Sequence, residues 1–345
     1  MKAITFLTLG LGLLGGAQAQ TVTPRTSSAT EVLTLSAVPG TQVTYLTTTK
    51  IEFTGFDVSF APKPGKTLSA EDQAKLSEIS SATKSQMAEV QAELGSAIQE
   101  SEGKQFVRVL PPDVRGNAVL QTSLVSPAPV IDLKTNRVTV SKTQFVTTTT
   151  QQTFAPDGKL LNLSIKSSDP KLQKFYSAMK FDELLGQMGQ SGQGSLYGLA
   201  LKAGESRNST QSVDLSSLLS GLGALLMGET DVSQSLKSQP LTLNVATTYL
   251  GKSTAGIRSY QQRFTASPWK LSLKGGAGTS ALNIRTTAWS GQGGQSYRPD
   301  GLPQTRDSAQ DVSMIMTMDM PDLPVQMQLQ MDMKLTTSIA ANDGS

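Results

Sequence analysis

Seven of the chain's twelve methionines fall between residues 312 and 335. Met314, Met316, Met318 and Met320 hold alternate positions up to a break at Pro321, Asp322, Leu323 and Pro324. Beyond it Val325, Met327, Leu329, Met331, Met333 and Leu335 alternate with Gln326, Gln328, Gln330, Asp332 and Lys334. Two chemistries are open to such a set. Thioether sulfurs are soft ligands that select Cu(I). Methionine is also unbranched and polarizable, which suits the wall of a site for an apolar ligand. On the second reading Met314, Met316, Met318, Met327, Leu329, Met331 and Met333 line or floor a cavity, and Leu218 and Leu222 belong to a lid over it. The copper reading is the weaker, because the apolar face of a strand already accounts for the spacing. No metal site and no cofactor are expected.

The rest of the composition narrows the chemistry by what it lacks. The 345 residues include no histidine and no cysteine. That removes the commonest general base, the commonest transition-metal ligand, thiol nucleophiles, Ser-His-Asp triads and ordinary zinc sites. Carboxylate pairs and Ser-Lys dyads remain formally open, yet most of the usual catalytic set is missing and a non-enzymatic protein is expected. The net charge is +3, and the basic residues are scattered rather than gathered in the runs that bind nucleic acid. The glycines of 186–198 and 275–278 are not phosphate loops, since no Gly-Lys-Ser/Thr follows and no strand feeds a helix there. They read as a flexible loop and a turn.

Side chains on a strand alternate faces, so 312–335 reads as a β-hairpin with one apolar and one wet face. Something must cover the apolar face, and three segments are candidates. Residues 69–100 carry Leu76, Ile79, Thr83, Met87, Val90, Leu94 and Ala97 at three- and four-residue steps, the period of one helix face, with Ser69 and Asp72 as a cap. Its seam is thin and only ~4 heptads long, so it is expected to pack on its own sheet in preference to a partner helix. Asp169 and Pro170 cap and open a second helix over 171–188, whose stripe is Leu172, Phe175, Tyr176, Met179, Leu184, Leu185 and Met188. The third segment, 215–227, is almost wholly apolar around Leu218, Leu219, Leu222, Leu225, Leu226 and Met227. It reads as a buried helix, with a mobile apolar flap as the functional alternative.

Strand patterns fill the remainder. They run over 32–35, then over 43–49 and 51–60 as an opening hairpin, then over 106–110, 118–124, 130–133 and a long Thr-rich strand at 138–154. Ala155-Pro156-Asp157-Gly158 makes a tight turn into 160–165, with Pro at the first turn position and Gly taking the positive φ. From Pro240 the alternation is continuous: Leu241, Leu243 and Val245, then 257–264, then Trp269, Leu271 and Leu273, then Leu282, Ile284, Thr286 and Ala288, with a turn at 291–294. Arg298-Pro299-Asp300-Gly301 repeats the earlier turn, and Phe154 and Tyr297 precede the two turns at the same distance. An internal duplication fits that repetition, each half ending in long strands after helical material.

The N-terminus has the form of an export signal: Lys2, an apolar run over 4–14, and Ala17-Gln18-Ala19 as the cleavage site. The run is shorter than the ~20 residues that a membrane span needs, and no cysteine follows to carry a lipid anchor. The expected organisation is a signal peptide at 1–19, a flexible leader at 20–30, one β-rich domain at 31–340 and a disordered tail at 341–345. A chain of this length can bury a sizeable core without disulfides. The expected fold class is α+β, mainly β: a curved antiparallel sheet, half-barrel-like, covered by two or three helices.

Four turn motifs carry a resemblance: Phe154-Ala-Pro-Asp-Gly-Lys159, Leu201-Lys-Ala-Gly-Glu205, Tyr249-Leu-Gly-Lys252 and Tyr297-Arg-Pro-Asp-Gly301. With long Thr/Val strands and a helical interruption, the chain resembles the half-barrel envelope proteins related to the periplasmic lipoprotein-localisation factor, and within them a family of secreted bacterial proteins. The resemblance implies a periplasmic or extracellular location and an apolar ligand such as a lipid or acyl chain; it transfers no functional residues. The long helix at 69–100 and the apolar insertion at 215–227 depart from the pattern, and leave such a pocket either open or filled by the chain's own helices. The expected function is that of an exported, non-enzymatic envelope protein binding an apolar small molecule or lipid in a Met/Leu-lined cavity. The alternative is a structural or protein-interaction component of the envelope with no small-molecule ligand. Neither reading calls for nucleic acid or a transmembrane segment.

Overall fold

The structure, a computed structural model, describes residues 29–81, 99–132, 137–178, 196–214, 236–273, 282–320 and 323–342. The signal peptide, the 215–227 segment with Leu218 and Leu222, most of the 69–100 helix, the second helix beyond residue 178 and the 275–278 turn lie outside the described residues.

Antiparallel strands dominate. One wing is built of β2 (Gln42–Pro62), β3 (Gln99–Leu110), β4 (Ala118–Asp132), β5 (Arg137–Phe154) and β6 (Leu160–Ser167). The other is built of β8 (Ser206–Val213), β10 (Leu241–Lys252), β11 (Arg258–Ala266), β13 (Leu282–Tyr297), β14 (Pro303–Asp319) and β15 (Val325–Ala341). They join in the order β6-β5-β4-β3-β2-β15-β14-β13-β11-β10-β8, so the first long strand pairs with the last. β12 (Lys270–Leu273) and β9 (Leu236–Ser238) extend β13 off this path, and β1 (Glu31–Val32) and β7 (Ala200–Leu201) form a separate two-stranded ribbon. The sheet is not closed; β6 and β8 are its ends. The mainly β, antiparallel class expected of the alternating pattern is the class observed.

Two local expectations are corrected. Residues 43–49 and 51–60 form one 21-residue strand, β2, rather than two arms of a hairpin. Thr47, Thr48, Thr49 and Lys50 offer no turn residue to reverse the chain, and the irregularity falls instead at a register shift near Gly55, opposite Asp332 and Met333. The turn expected at 291–294 is also strand. Gly291 pairs with Phe264 on one side and Gln310 on the other, and a Cβ there would strike the Phe264 ring. These glycines admit a neighbouring side chain; they do not bend the chain.

The two wings repeat each other register for register. In the first, Gly40 N donates to Val109 O (2.8 Å) and Val109 N to Thr41 O (2.9 Å). In the second, Gly204 N donates to Tyr249 O (2.7 Å) and Tyr249 N to Glu205 O (3.0 Å). Gly116 N closes the β3–β4 turn on Asp113 O, as Gly256 N closes the β10–β11 turn on Ser253 O. Gly158 N closes the β5–β6 turn on Ala155 O, as Gly301 N closes the β13–β14 turn on Arg298 O, both at 2.9 Å. Even the irregularity recurs. Phe154 faces Leu160 while Thr153 faces Asn162, and Tyr297 faces Pro303 while Ser296 faces Thr305. Strands β2 to β6 thus match β8, β10, β11, β13 and β14, and the duplication hinted at by the Pro-Asp-Gly turns is present in the fold. The wings part company afterwards: β14 leads to β15, whereas β6 leads to the helix Pro170–Ala178.

The β1/β7 ribbon packs on both Pro-Asp-Gly turns. Gly198 N donates to Leu33 O (2.8 Å) and Ser36 N to Asp300 O (2.9 Å). Phe154 and Tyr297 each meet Tyr197 edge-on, with ring centroids 5.2 and 5.8 Å away. Their strands are six steps apart in the sheet, a separation of roughly 29 Å in a flat sheet, so the strands between them do not lie flat. Leu33, Tyr45, Leu201 and Leu302 are fully buried around this junction.

Among the described residues few are helical. Those at 70–81 start at the expected cap, where Asp72 N donates to Ser69 Oγ and Ser69 N to Asp72 Oδ2, both at 3.1 Å, the reciprocal pattern of a capping box. Residues 99 and 100, assigned by periodicity to the end of that helix, belong to β3. Asp169 Oδ1 accepts from Leu172 N at 2.9 Å and caps Pro170–Ala178. At the far end of the domain Ala341 pairs with Tyr45 and Asn342 N donates to Thr44 O (2.7 Å), so the sheet runs past the boundary expected at 340. Among the described residues no helix is long and apolar enough to cross a membrane.

Candidate functional site

The Met-rich hairpin forms from the adjoining halves of β14 and β15. Met318 faces Met327, Met316 faces Leu329, Met314 faces Met331 and Val312 faces Met333. β2 lays Phe60, Val58, Phe56 and Phe53 beside Met327, Leu329, Met331 and Met333. On the other flank β13 lays Leu282, Ile284, Thr286 and Trp289 beside Met318, Met316, Met314 and Val312. Directly opposed residues share a face, so four strands present one continuous, largely apolar surface. Leu241, Leu243, Trp269 and Leu271 join the same core, and so does the half-buried Tyr176.

Burial along this strip is uneven. Met314 and Met331 are 1% exposed, and Met316, Leu329 and Met333 are also buried. Met318, Met327, Leu282 and Phe60, at the end nearest Pro324, are only half-buried. The central methionines are core, and the strip meets solvent at its Met318–Met327 end. Tyr176 reaches the strip from the helix that follows β6, at the far end of the strand order. Its hydroxyl is hydrogen-bonded with the Thr148 side chain of β5, and burial pushes the phenol pKa up.

Toward the opposite end the same inner face turns polar. The inward residues of β14 before Val312 are Gln310, Ser308 and Arg306, in phase with Met314 and Met316. Gln310 is 0% exposed and Ser308 3%. Trp289 Nε1 donates to Gln310 Oε1 (3.2 Å), Tyr297 OH to Gln295 Oε1 (2.8 Å) and Gln295 Nε2 to Gln262 Oε1 (2.8 Å). Three buried atoms of this patch, Gln310 Nε2, Ser308 Oγ and Tyr260 OH, have no hydrogen-bond partner in the protein. Burial lowers the Arg306 guanidinium pKa, with Tyr297 acting the other way.

Next to this patch, five tyrosines gather under the β1/β7 ribbon. Tyr197 OH donates to Gly301 O at 2.7 Å and Tyr45 OH donates to Pro303 O. Tyr249 and Tyr260 lie 4.9 Å apart, and Tyr260 meets Tyr297 edge-on at 5.9 Å. Burial pushes the phenols of Tyr249 and Tyr297 up to about 12, and it raises those of Tyr197 and Tyr260 well above the ordinary range. This cluster is packing between the wings, and its hydroxyls point to structure rather than proton transfer.

The residues expected from the hairpin pattern, Met314, Met316, Met318, Met327, Leu329, Met331 and Met333, therefore share one face. Their proposed lid residues Leu218 and Leu222 fall outside the described residues. Sequence reasoning missed Phe53 and Phe56 as neighbours of the strip, because the shift near Gly55 spaces them by three and hides their common face. It also missed Arg306, Ser308 and Gln310, although they continue the alternation of Val312 and Met314 without a break. Against known proteins the chain finds no counterpart: no family model, no curated protein and no solved structure matches it.

Proposed function

We propose that this protein is an exported, non-enzymatic envelope protein that holds an apolar ligand, a lipid or acyl chain, against the methionine strip of a curved, half-barrel-like sheet. The observation that carries the reading is the graded strip itself. A continuous apolar surface on four strands is sealed at Met314 and Met331 and partly open at Met318, Met327, Leu282 and Phe60. Ligand sites of this kind are concave and mostly apolar, with few polar groups, and methionine adapts its shape to varied occupants. The meeting of Phe154 and Tyr297 on Tyr197 supports the curvature such a site needs. The signal-like N-terminus and the resemblance to lipoprotein-localisation-factor-like half-barrels favour an envelope location and a lipid-like cargo. Mass spectrometry of organic extracts from the protein purified under native conditions should find a co-purifying lipid, and added acyl chains should raise Tm. Failure of both would overturn the reading.

A structural or protein-interaction role is the second reading. The sheet ends at β6 and β8, and the outer backbone groups of a sheet edge suit strand addition by a partner. Light scattering separates the two readings: a strict monomer that carries lipid counts against the second, and a defined oligomer without lipid counts against the first.

A further inference from the structure

The two ends of the sheet are not alike, and the internal duplication tells what the β8 end is built for. Strand β8 is the second wing's equivalent of β2, since Gly204 and Glu205 bond to Tyr249 as Gly40 and Thr41 bond to Val109. The outer edge of β2 is filled. Asn342 N donates to Thr44 O at 2.7 Å, and Ala340 and Ser338 of β15 face Leu46 and Thr48. Counted from the same anchors, Asn208, Thr210 and Ser212 stand where Thr44, Leu46 and Thr48 stand. Tyr249 N donates to Glu205 O at 3.0 Å, and successive residues of a strand turn their backbone groups to opposite sides. Arg207, Ser209, Gln211 and Val213 therefore bond toward β10, while Ser206, Asn208, Thr210 and Ser212 turn theirs outward. Those four residues are exposed, and among the described residues β8 pairs with β10 alone.

The β6 end is guarded by the chain itself. Ser168 N donates to Thr147 O at 2.9 Å, so by the same alternation Ser167 turns its backbone outward. Its N–H is taken by Gln173 Oε1 of the helix Pro170–Ala178, at 2.8 Å. Lys166 is exposed beside it, and lysine on an edge strand discourages pairing. β8 carries no such guard: Ser-Arg-Asn-Ser-Thr-Gln-Ser-Val holds neither proline nor lysine, and its register against β10 has no bulge. A foreign peptide added to a sheet edge is selected through pockets for its alternate side chains. The small polar side chains of β8 select none. A second β8 fits instead. In antiparallel pairing centred on Ser209, Ser206 meets Ser212 and Asn208 meets Thr210 of the second copy, so every outward-turned residue finds another. Arg207, the one charge of the strand, then faces Gln211 of the second copy, and no like charges are opposed. Two-fold pairing also closes on itself, whereas β8 set against β6 of the next copy would propagate into a filament.

We propose that this protein forms a two-fold dimer in which β8 of one copy pairs antiparallel with β8 of a second copy, with Ser209 on the axis. The dimer is independent of both readings of function, since a strand added at the sheet edge leaves the methionine strip as it is. Sedimentation velocity of the purified protein over a concentration series should show a monomer–dimer equilibrium. Thr210→Pro removes an outward N–H, spares the bonds to β10 and is tolerated on an edge strand. It should weaken dimerisation at least about tenfold and leave the circular dichroism of the fold unchanged. Cross-linking reads the register. The chain has no cysteine, and opposed residues of a non-hydrogen-bonded pair lie about 4.5 Å apart at Cα, within reach of a disulfide. With oxidised glutathione as the oxidant, Ser209→Cys should cross-link to itself. Arg207→Cys and Gln211→Cys should each stay uncross-linked alone and cross-link when mixed. A monomer at every concentration would overturn the proposal, and a peptide co-purifying with that monomer would assign the edge to a foreign strand. A dimer that Thr210→Pro leaves intact, or ready self-cross-linking of Gln211→Cys, would place the contact elsewhere and overturn it as well.

Discussion

Gly158 and Gly301 occupy equivalent points of the two wings and do the same work from opposite sides of one ribbon. Each closes a Pro-Asp-Gly turn with a positive φ, +84° and +85°. Gly158 abuts the backbone of Tyr197 and Gly198, and Gly301 abuts that of Thr34 and Leu35. Those two backbone segments are joined by the bond from Gly198 N to Leu33 O and by the β1–β7 pairing. The duplicated turns therefore seat the ribbon that leads into the first strand of each wing, and the close approach needs glycine for space as well as for φ.

Gly158→Ala and Gly301→Ala should each destabilise the fold by about 2–4 kcal/mol, because a left-handed backbone and a collision with main chain act together. Gly65→Ala is the control: it has φ +74° with open space around its Cα, and should cost only about 1 kcal/mol. Urea denaturation of the three variants checks this. Equal losses at all three would mean that docking on the ribbon adds nothing to the turns.

The uneven burial of the methionines predicts a division of labour along the strip. Met314→Ala and Met331→Ala should each cost about 2–5 kcal/mol through the cavity they leave, while Met331→Leu should cost under ~1.5 kcal/mol. Met318→Ala and Met327→Ala, at the half-buried end, should lower stability less and lower acyl-chain affinity more. Chemical denaturation beside ligand titration separates the two effects. If Met318→Ala destabilised the apo protein as much as Met331→Ala does, the strip would be core throughout.

The hydroxyl of Tyr197 ties the ribbon to the second wing by donating to the Gly301 carbonyl at 2.7 Å. Tyr197→Phe keeps the ring contacts with Phe154 and Tyr297 but leaves a buried carbonyl short of a donor, at a cost of about 1–3 kcal/mol. Tyr197→Leu should cost more, since the edge-on ring pairs contribute ~0.5–1.5 kcal/mol each. A phenylalanine variant as stable as the native protein in thermal unfolding would show that the carbonyl is served by water.

Much of this was legible in the sequence where pattern and chemistry act locally. Alternation placed Met314 to Met318 and Met327 to Met333 on one face, and Pro-Asp-Gly marked two turns that prove equivalent. Ser69 with Asp72, and Asp169 before Pro170, named their caps because a cap is made within one turn of helix. What escaped notice depends on partners far along the chain. Gly291 and Gly293 read as a turn until Phe264 of another strand is set across Gly291. Phe53 and Phe56 read as unrelated until a register shift against Met333 and Met331 brings them to one face. Arg306 and Gln310 read as ordinary polar strand residues, because polar side chains break the apolar alternation by which Val312 and Met314 mark the inner face, although they continue its phase.

The phenols of Tyr249 and Tyr297, raised by burial from 10.0 to about 12, tie stability to alkaline pH. Below pH 10 both folded and unfolded chains keep these phenols protonated, and the stabilisation is fully present. Between pH 10 and about 12 the unfolded chain ionises while the folded one does not, so stability falls as pH rises through this window. Phenolate absorbance should therefore lag the ordinary tyrosine titration and then rise together with loss of the β signal in circular dichroism. Tyr249 adds a sharper test, because its buried hydroxyl has no partner in the protein. Replacing such a group with an apolar one of the same shape is nearly neutral or stabilising, so Tyr249→Phe should leave stability at neutral pH unchanged or higher and move the alkaline transition upward. An early, independent ionisation of Tyr249, or a marked loss of neutral-pH stability in Tyr249→Phe, would show that its hydroxyl is solvated and that the junction under the ribbon is open to water.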